Sequence, residues 1–163
     1  MKISVIIPTC DEASSLLPLL SHIKGNIHPD NLAEVIVVDG KSSYNTLKVA
    51  RNQGACAIPC RKKGKVAQMN YGAKIATGEI LYFVQTEALP PDDFAEDIID
   101  SVQHGINCGE YCFSTSQKYN FLYIKRGFFN PFIHSMRFKE QSLFITRDQF
   151  VEAGGFKELT MVR

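Results

Sequence analysis

Short, continuous apolar runs alternate with amphipathic stretches along the first two thirds of the chain. The runs are rich in β-branched residues and end in proline or polar residues, as strands buried on both faces do. They occupy residues 3–7, 35–38, 55–58 and 80–84. After each run, apolar residues recur at helical spacing, which predicts helices near residues 16–23, 46–53, 66–75 and 94–102. This alternation predicts an α/β protein with a mainly parallel central sheet flanked by helices.

The last third of the chain has a less regular pattern. Aromatic and aliphatic residues cluster there without a clean period, among them Phe121, Leu122, Tyr123, Phe128, Phe129, Phe132 and Ile133. Farther on, residues 143–146 predict a strand, residues 147–153 a short helix, and Gly154-Gly-Phe156 a turn. A chain of 163 residues, 45% of them hydrophobic, has the size and composition of one domain.

The charge balance excludes several classes of partner. Eighteen lysines and arginines face 17 acidic residues, a net charge of +1. No overall field therefore favours nucleic acid. The N-terminus resembles no secretory signal, and five cysteines, an odd number, fit reduced thiols better than a disulfide framework. We expect a cytoplasmic protein whose cysteines are small buried residues rather than zinc ligands.

The aromatic stretch 119–132, which includes Lys125 and Arg126, leaves two interpretations open. An interfacial segment of this composition would contact a membrane or a lipid-linked partner peripherally. A core or protein interface is the more ordinary interpretation, and exposure of such a cluster would favour a homo-oligomer.

Three polar segments each follow one of the predicted strands. They are Thr9-Cys-Asp-Glu12, residues 39–43 and Gln85-Thr-Glu87. Ligands collect at the carboxyl ends of parallel strands, so these segments are the candidate site. None forms the glycine-rich dinucleotide fingerprint or the phosphate loop of nucleotide triphosphatases, and the site must bind its ligand differently.

Two of these segments carry a resemblance to a known family. Ser4-Val-Ile-Ile-Pro-Thr9 with Glu12, and Val37-Val-Asp-Gly40 with Ser42 and Thr46, resemble family 2 glycosyltransferases of the GT-A fold. Further motifs are similar to a bacterial subgroup of that family and extend the likeness over nearly the whole chain. They are Lys63-Gly-Lys65, Gln68-Met-Asn70, Thr77-Gly-Glu-Ile80, Gln141-Ser142 and Gly154-Gly-Phe156.

The resemblance implies transfer of a sugar, with inversion, from a nucleoside diphosphate sugar to an acceptor that the sequence does not name. The donor would be uridine-based. Residues 1–115 would form the nucleotide-sugar-binding half of a single domain over 1–163, and residues 116–163 a partial acceptor-side half. The implied substrate-binding residues are Pro8, Thr9, Glu12, Asp39, Gly40, Lys65, Gln68, Asn70, Gln85 and Gln141.

The resemblance also implies a divalent metal, Mg2+ or Mn2+, held at the end of the fourth strand. The family carries an Asp-x-Asp-like motif there and the subgroup His-Ala-Asp, whereas this chain has Gln85-Thr-Glu87. Glu87 is thus the metal candidate, since a carboxylate suits a hard cation. A hydrophilic turn is the alternative. Lys65 stands where the subgroup has an arginine. It keeps the positive charge but cannot bind a phosphate through two parallel hydrogen bonds as a guanidinium does.

The family's general base is an aspartate in an acidic pair a few residues beyond the Gly-Gly-Phe turn. This sequence stops at Arg163, where the pair should arrive, so we expect a C-terminally truncated member. Glu140 is the remaining candidate base, because it stands where relatives carry an aspartate beside the acceptor. Two alternatives stay open: a catalytically impaired binding or assembly protein, and a sugar nucleotidyltransferase, which the missing glycine-rich loop disfavours.

Overall fold

The computed structural model describes residues 1–41, 44–62, 64–113, 119–123 and 141–157. The strands are β1 (Ile3–Thr9), β2 (Leu32–Asp39), β3 (Cys56–Pro59), β4 (Ile80–Val84), β5 (Cys108–Phe113), β6 (Tyr119–Tyr123) and β7 (Gln141–Thr146). The helices are α1 (Ala13–Gly25), α2 (Tyr44–Asn52), α3 (Lys65–Ile75), α4 (Phe94–Gln103) and α5 (Arg147–Glu152). A short 3-10 turn, Pro29–Asn31, precedes β2. Every strand and helix that the sequence predicts is present.

The seven strands form one sheet in the order β3-β2-β1-β4-β7-β5-β6. The first four are mutually parallel, as predicted. The other half is antiparallel, since β7 runs against both β4 and β5, and β5 runs against β6. The sheet is therefore mixed, with its parallel half made by the N-terminal β-α units.

Helices cover both faces of the parallel half. Alternate residues of β1 point to opposite faces. Ile3, Val5 and Ile7 pack with α1, α2 and α4, whereas Ile6 packs with α3 and α5. All seven β1 residues are buried, which explains why apolar residues occur at positions on both faces of this strand.

Helix α3 lies unusually close to the sheet because of one glycine. A Cβ atom on Gly72 would lie 2.5 Å from Cγ2 of Ile6 and 3.1 Å from Cγ2 of Val38. Both distances are too short for an ordinary contact, so only glycine permits this approach. The close packing brings Gln68, one turn earlier in α3, down onto the ends of β1 and β2.

Polar contacts hold together the opposite, amino-terminal end of the parallel strands. The Glu34 carboxylate accepts hydrogen bonds from the Ser4 hydroxyl and from the hydroxyl and backbone N–H of Thr77. Nearby, Arg147 donates through Nε and a terminal nitrogen to the Gly78 carbonyl, at 2.9 and 2.6 Å. Burial raises the pKa of Glu34, but the hydrogen bonds and the charge of Arg147 outweigh it, so the pKa lies below its usual value.

The described cysteines are free thiols in two environments. Cys60 and Cys108 are buried and Cys10 and Cys56 are exposed, so the expectation of burial holds for only two of them. Burial, followed by the charge of Glu110, raises the pKa of the Cys108 thiol. No group of three or more potential metal ligands occurs within the described ranges. Nor does any helix described there have the length and apolar character to cross a bilayer.

Candidate functional site

The carboxyl ends of the parallel strands meet at one edge of the sheet. Thr9 of β1 lies in register with Asp39 of β2, which in turn lies beside Pro59 of β3. The Gly40 N–H donates to the Thr9 carbonyl at 2.9 Å, and the Cys60 N–H donates to the Asp39 carbonyl at 2.7 Å. These backbone bonds bring the first two predicted segments side by side.

Gln68 joins the ends of β1 and β2 from beneath. Its side-chain Nε2 donates to the Thr9 carbonyl at 2.7 Å and to the Val38 carbonyl at 2.9 Å. The residue is only 4% exposed. A Cβ atom at Gly40 would lie 2.7 Å from the same nitrogen, so the glycine leaves room for the amide. Gln68 thus fixes the backbone that carries Asp39.

Two buried hydroxyls at this edge have no hydrogen-bond partner among the described residues. They belong to Thr9, at the end of β1, and Thr46, in the first turn of α2, and each residue is 1% exposed. Buried hydroxyls are nearly always paired in folded proteins, with protein or with ordered water. Asp39, beside Thr9, is 2% exposed. Thr9 and Asp39 therefore place a hydroxyl group and a carboxylate side by side at this edge.

The loops leaving β1 and β2 contain strained backbone. Asp11 has a φ of 57° and Lys41 a φ of 84°, values that non-glycine residues seldom adopt. Such a conformation costs on the order of 1 kcal/mol and is concentrated at functional sites. Glu12, the half-buried residue after Asp11, caps α1 with its backbone carbonyl, which accepts from the N–H groups of Ser15 and Leu16.

The end of β4 carries the third predicted segment. Gln85 is 2% exposed, and its side-chain Oε1 accepts a hydrogen bond from the Lys65 ammonium. The Nε2 atom of the same amide is buried without a hydrogen-bond partner in the described part of the chain. Glu87 is exposed two residues later. One carboxylate fits Mg2+ or Mn2+ when substrate phosphates and waters complete the shell, which is the usual arrangement for Mg2+.

Strand β7 begins at the same edge of the sheet. It runs antiparallel to β4 with Ser142 opposite Val84, so Gln141 starts β7 beside the end of β4. The hydroxyls of Ser142 and Tyr82 lie 2.7 Å apart in the core behind it. Glu140, the candidate base, directly precedes this strand and lies outside the described residues.

Asn70 lies apart from the other predicted site residues. Its side-chain Nδ2 donates to the Phe156 carbonyl, and its Oδ1 accepts from the Phe156 N–H, both at 3.0 Å. This pair of bonds ties α3 to the Gly-Gly-Phe turn. Pro8 is buried within β1 in register with Val38, so it shapes the strand end.

A groove along the outer side of α3 was not predicted from the sequence. Its volume is about 740 Å3, and the basic run at residues 61–65 was the only signal near it. The groove lies between β3 and α3 and is lined by Ile58, Pro59, Cys60, Arg61, Lys62, Ala67, Asn70, Tyr71 and Lys74.

Four parallel strands with polar side chains gathered at their carboxyl edge define an α/β fold of the kind that binds nucleotides there. The family is shown by sequence: the chain belongs to glycosyl transferase family 2, whose model matches residues 4–159. The family and the GT-A fold implied by the sequence motifs are thereby confirmed. The narrower bacterial subgroup stays a prediction.

Curated relatives align with about three fifths of this chain. Glycosyltransferase AglE of Haloferax volcanii is 27% identical over 106 residues, which cover 61% of this chain and 35% of the relative. Dolichyl N-acetyl-alpha-D-glucosaminyl phosphate 3-beta-D-2,3-diacetamido-2,3-dideoxy-beta-D-glucuronosyltransferase of Methanococcus voltae is 28% identical over 108 residues, 62% of this chain and 34% of the relative. The chain spans about a third of the length of these relatives.

Solved structures share the fold. Mannosyltransferase PcManGT of Pyrobaculum calidifontis, in complex with GDP-Man and Mn2+, has a TM-score of 0.71 at 23% identity, over 96% of this chain and 47% of that chain. Glucosyl-3-phosphoglycerate synthase of Mycobacterium tuberculosis, in complex with Mn2+, UDP and glucosyl-3-phosphoglycerate, has a TM-score of 0.58 at 20% identity. The match covers 66% of this chain and 42% of the synthase chain. Both likenesses concern the fold.

Proposed function

We propose that this chain binds a uridine diphosphate sugar at the carboxyl edge of β1, β2 and β4. It transfers the sugar to an acceptor with inversion at the anomeric carbon. The observation that carries the proposal is the buried Asp39 carboxylate beside the Thr9 hydroxyl, which has no hydrogen-bond partner among the described residues. Gln68 ties together the adjacent strand ends that carry both groups. A carboxylate accepts hydrogen bonds from the N–H donor of a uracil ring. Family membership supports the same ligand class.

The remaining donor contacts follow from the arrangement of the edge. Glu12 and Gly40 flank the pocket for base and ribose, next to Pro8 and Thr9. The Lys65 ammonium of α3 donates to the Gln85 side chain at the end of β4. These two side chains would contact the diphosphate of the donor. Gln141 borders the sugar from the start of β7.

Glu87 would hold Mg2+ or Mn2+, together with phosphate oxygens of the donor. When bound, such an ion offsets negative charge on the departing nucleoside diphosphate. The solved structures of the mannosyltransferase and the synthase both contain Mn2+, which supports a divalent ion in this fold.

The transfer itself needs a base on the acceptor side, and Glu140 is the proposed one. The acceptor hydroxyl oxygen attacks the anomeric carbon and forms the new glycosidic bond while the bond from that carbon to the phosphate oxygen breaks. The hydroxyl proton passes to the Glu140 carboxylate, and the electron pair of the broken bond leaves with the nucleoside diphosphate. The name of the Methanococcus voltae relative contains dolichyl N-acetyl-alpha-D-glucosaminyl phosphate, which supports a lipid-linked acceptor.

Calorimetry with UDP and with GDP, in the presence of Mn2+, tests the donor site. We expect UDP to bind more tightly than GDP, and Asp39→Asn to lower UDP affinity roughly tenfold, because the amide cannot accept as strongly as the carboxylate. Preference for GDP would overturn the choice of base. Failure of both nucleotides to bind would overturn the donor site.

A second candidate is a binding protein of the same fold without transferase activity. It is favoured by Gln85-Thr-Glu87, which stands where the family resemblance implies an Asp-x-Asp-like metal motif. Incubation with labelled UDP-sugars and Mn2+ separates the two functions, since donor hydrolysis or transfer requires an active site whereas UDP binding does not.

A further inference from the structure

The Lys65 ammonium occupies the end of β4, where the family resemblance implies a metal ion. It donates to Oε1 of Gln85, the residue two positions before the metal candidate Glu87. Gln85 is 2% exposed, so its buried side chain gives the Lys65 ammonium a fixed acceptor. In the described part of the chain, no ion pair within 4 Å links Lys65 to a carboxylate. Its positive charge is therefore available to an incoming anion.

The charge of Lys65 adds to that of a helix end. Lys65 is the first residue of α3, an 11-residue helix, and Gly64 before it provides no side-chain cap. The first N–H groups of a helix carry partial positive charge and lack partners within the helix. A cation is normally disfavoured there. Lysine at this position therefore makes sense physically when an anion balances both charges.

A third observation points to the same ligand. The Gln85 Nε2 is buried without an acceptor among the described residues, although its Oε1 is already used by Lys65. A buried amide donor without an acceptor keeps the full cost of its lost hydration. A phosphate oxygen arriving at the end of β4 would relieve that cost. Ammonium, helix N-terminus and amide donor together form a site suited to a diphosphate rather than to a metal alone.

We propose that Lys65, held in place by Gln85, is a built-in cation for the donor diphosphate, so that a nucleoside diphosphate binds this chain without a divalent metal. The proposal rests on the proposed function, because it concerns the diphosphate of the same donor. An ion on Glu87 then adds to donor binding but is not required for it. Lys65 carries the charge that the carboxylate-bound ion carries in metal-dependent enzymes.

The test is calorimetry with UDP in EDTA and in Mn2+, on the intact chain and three variants. Lys65→Gln removes the positive charge, whereas Lys65→Arg keeps it. Lys74→Gln is the control, because it removes an exposed charge from the last turn of the same helix. Thermal unfolding of each variant confirms that it is folded. Uridine, which has no phosphate, serves as a second probe.

We expect UDP to bind the intact chain in EDTA within about threefold of its affinity in Mn2+. Lys65→Gln should weaken UDP binding in EDTA roughly ten- to a hundredfold, the range for loss of a charge-assisted hydrogen bond. Lys65→Arg and Lys74→Gln should remain near the intact chain, and uridine binding should not respond to Lys65. Mn2+ should partly restore UDP binding to Lys65→Gln.

Three results would overturn the proposal, and they are distinguishable. UDP binding that is lost in EDTA and present in Mn2+ would overturn the metal-independent site while leaving the proposed function intact. Equal losses from Lys65→Gln and Lys74→Gln would reduce the role of Lys65 to general charge. If neither UDP nor GDP binds under any condition, the proposed function fails first.

Discussion

Gln68→Met is the substitution that most directly tests how the edge of the sheet is built. Methionine has nearly the length and volume of glutamine but no donor, so it removes the hydrogen bonds to the Thr9 and Val38 carbonyls and leaves the packing of α3 almost unchanged. The Thr9 carbonyl keeps one partner, the Gly40 N–H at 2.9 Å.

The expected cost follows from two buried hydrogen bonds. Each contributes a net 0.5–1.5 kcal/mol, so the free energy of unfolding should fall by about 1–3 kcal/mol. For a domain of this size, each kcal/mol corresponds to roughly 2–4 °C in the melting temperature. The bend at Asp39 and Gly40 would also lose its support, and UDP affinity should fall with it.

Denaturant unfolding of Gln68→Met measures this cost, with Gln103→Met as the matched control. Gln103 is an exposed helical glutamine at the end of α4, and its replacement should change stability by less than about 0.5 kcal/mol. If Gln68→Met is as stable as the control, the two hydrogen bonds do not hold the strand ends together, and Gln68 becomes free to act as a direct ligand residue.

Three further substitutions test other parts of the molecule. Gly72→Ala should lower the free energy of unfolding by about 1–3 kcal/mol through overpacking against Ile6, whereas Gly25→Ala, which meets no atom within 4 Å, should be nearly neutral; equal effects would contradict the close approach of α3. The lowered pKa of Glu34 means that its carboxylate stabilises the fold above its ordinary pKa of 4.5 and that this contribution is lost as pH falls through the folded value. Glu34→Gln should therefore flatten the acid loss of stability in urea unfolding from pH 7 to 3, and an unchanged slope would refute this. Burial, together with Asp93, Asp100 and Glu96, raises the pKa of Asp97 despite a hydrogen bond from Tyr111; such a group stabilises below its ordinary pKa of 3.8 and loses that contribution as pH rises. Asp97→Asn should accordingly raise the melting temperature at pH 7 but not at pH 3, and a gain at both would point to another cause.

The parallel half of the fold could be predicted because only one position in a sheet buries its apolar strands. A run such as residues 3–7 is apolar on both faces, and only a central position between two helical layers buries it completely. Strands β5 and β6 were not predicted. Strand β5 contains Gly109 and the buried Glu110, and both residue types have low β-strand propensity. Its pairing with β7, which the local sequence does not show, stabilises it.

The candidate site could be predicted in position but not in detail. Ligands bind at the carboxyl ends of parallel strands, and this rule alone predicts that Thr9, Asp39 and Gln85 lie at one edge of the sheet. The sequence did not distinguish Gln68 from Asn70, which lie two positions apart on α3. Two positions correspond to about 200° of rotation around a helix, so one amide reaches the strand ends and the other reaches Phe156.

Helix α3 therefore connects the stability of the domain with its proposed donor site. Its first residue, Lys65, reaches Gln85; one turn on, Gln68 ties β1 to β2; a further turn on, Gly72 sets the depth of packing. All three contacts depend on how α3 is rotated about its axis and on how closely it packs on the sheet. A change that moves α3 away from the sheet should therefore lower both the donor affinity and the free energy of unfolding. Conversely, a nucleotide that binds only the folded chain should stabilise it, by about 2.7 kcal/mol at a hundred times its dissociation constant. Loss of UDP binding in an α3 variant thus identifies a ligand contact only when the free energy of unfolding is nearly unchanged. We expect a smaller loss of that free energy for Lys65→Gln, whose amide keeps a donor near Gln85, than for Gln68→Met, which has none.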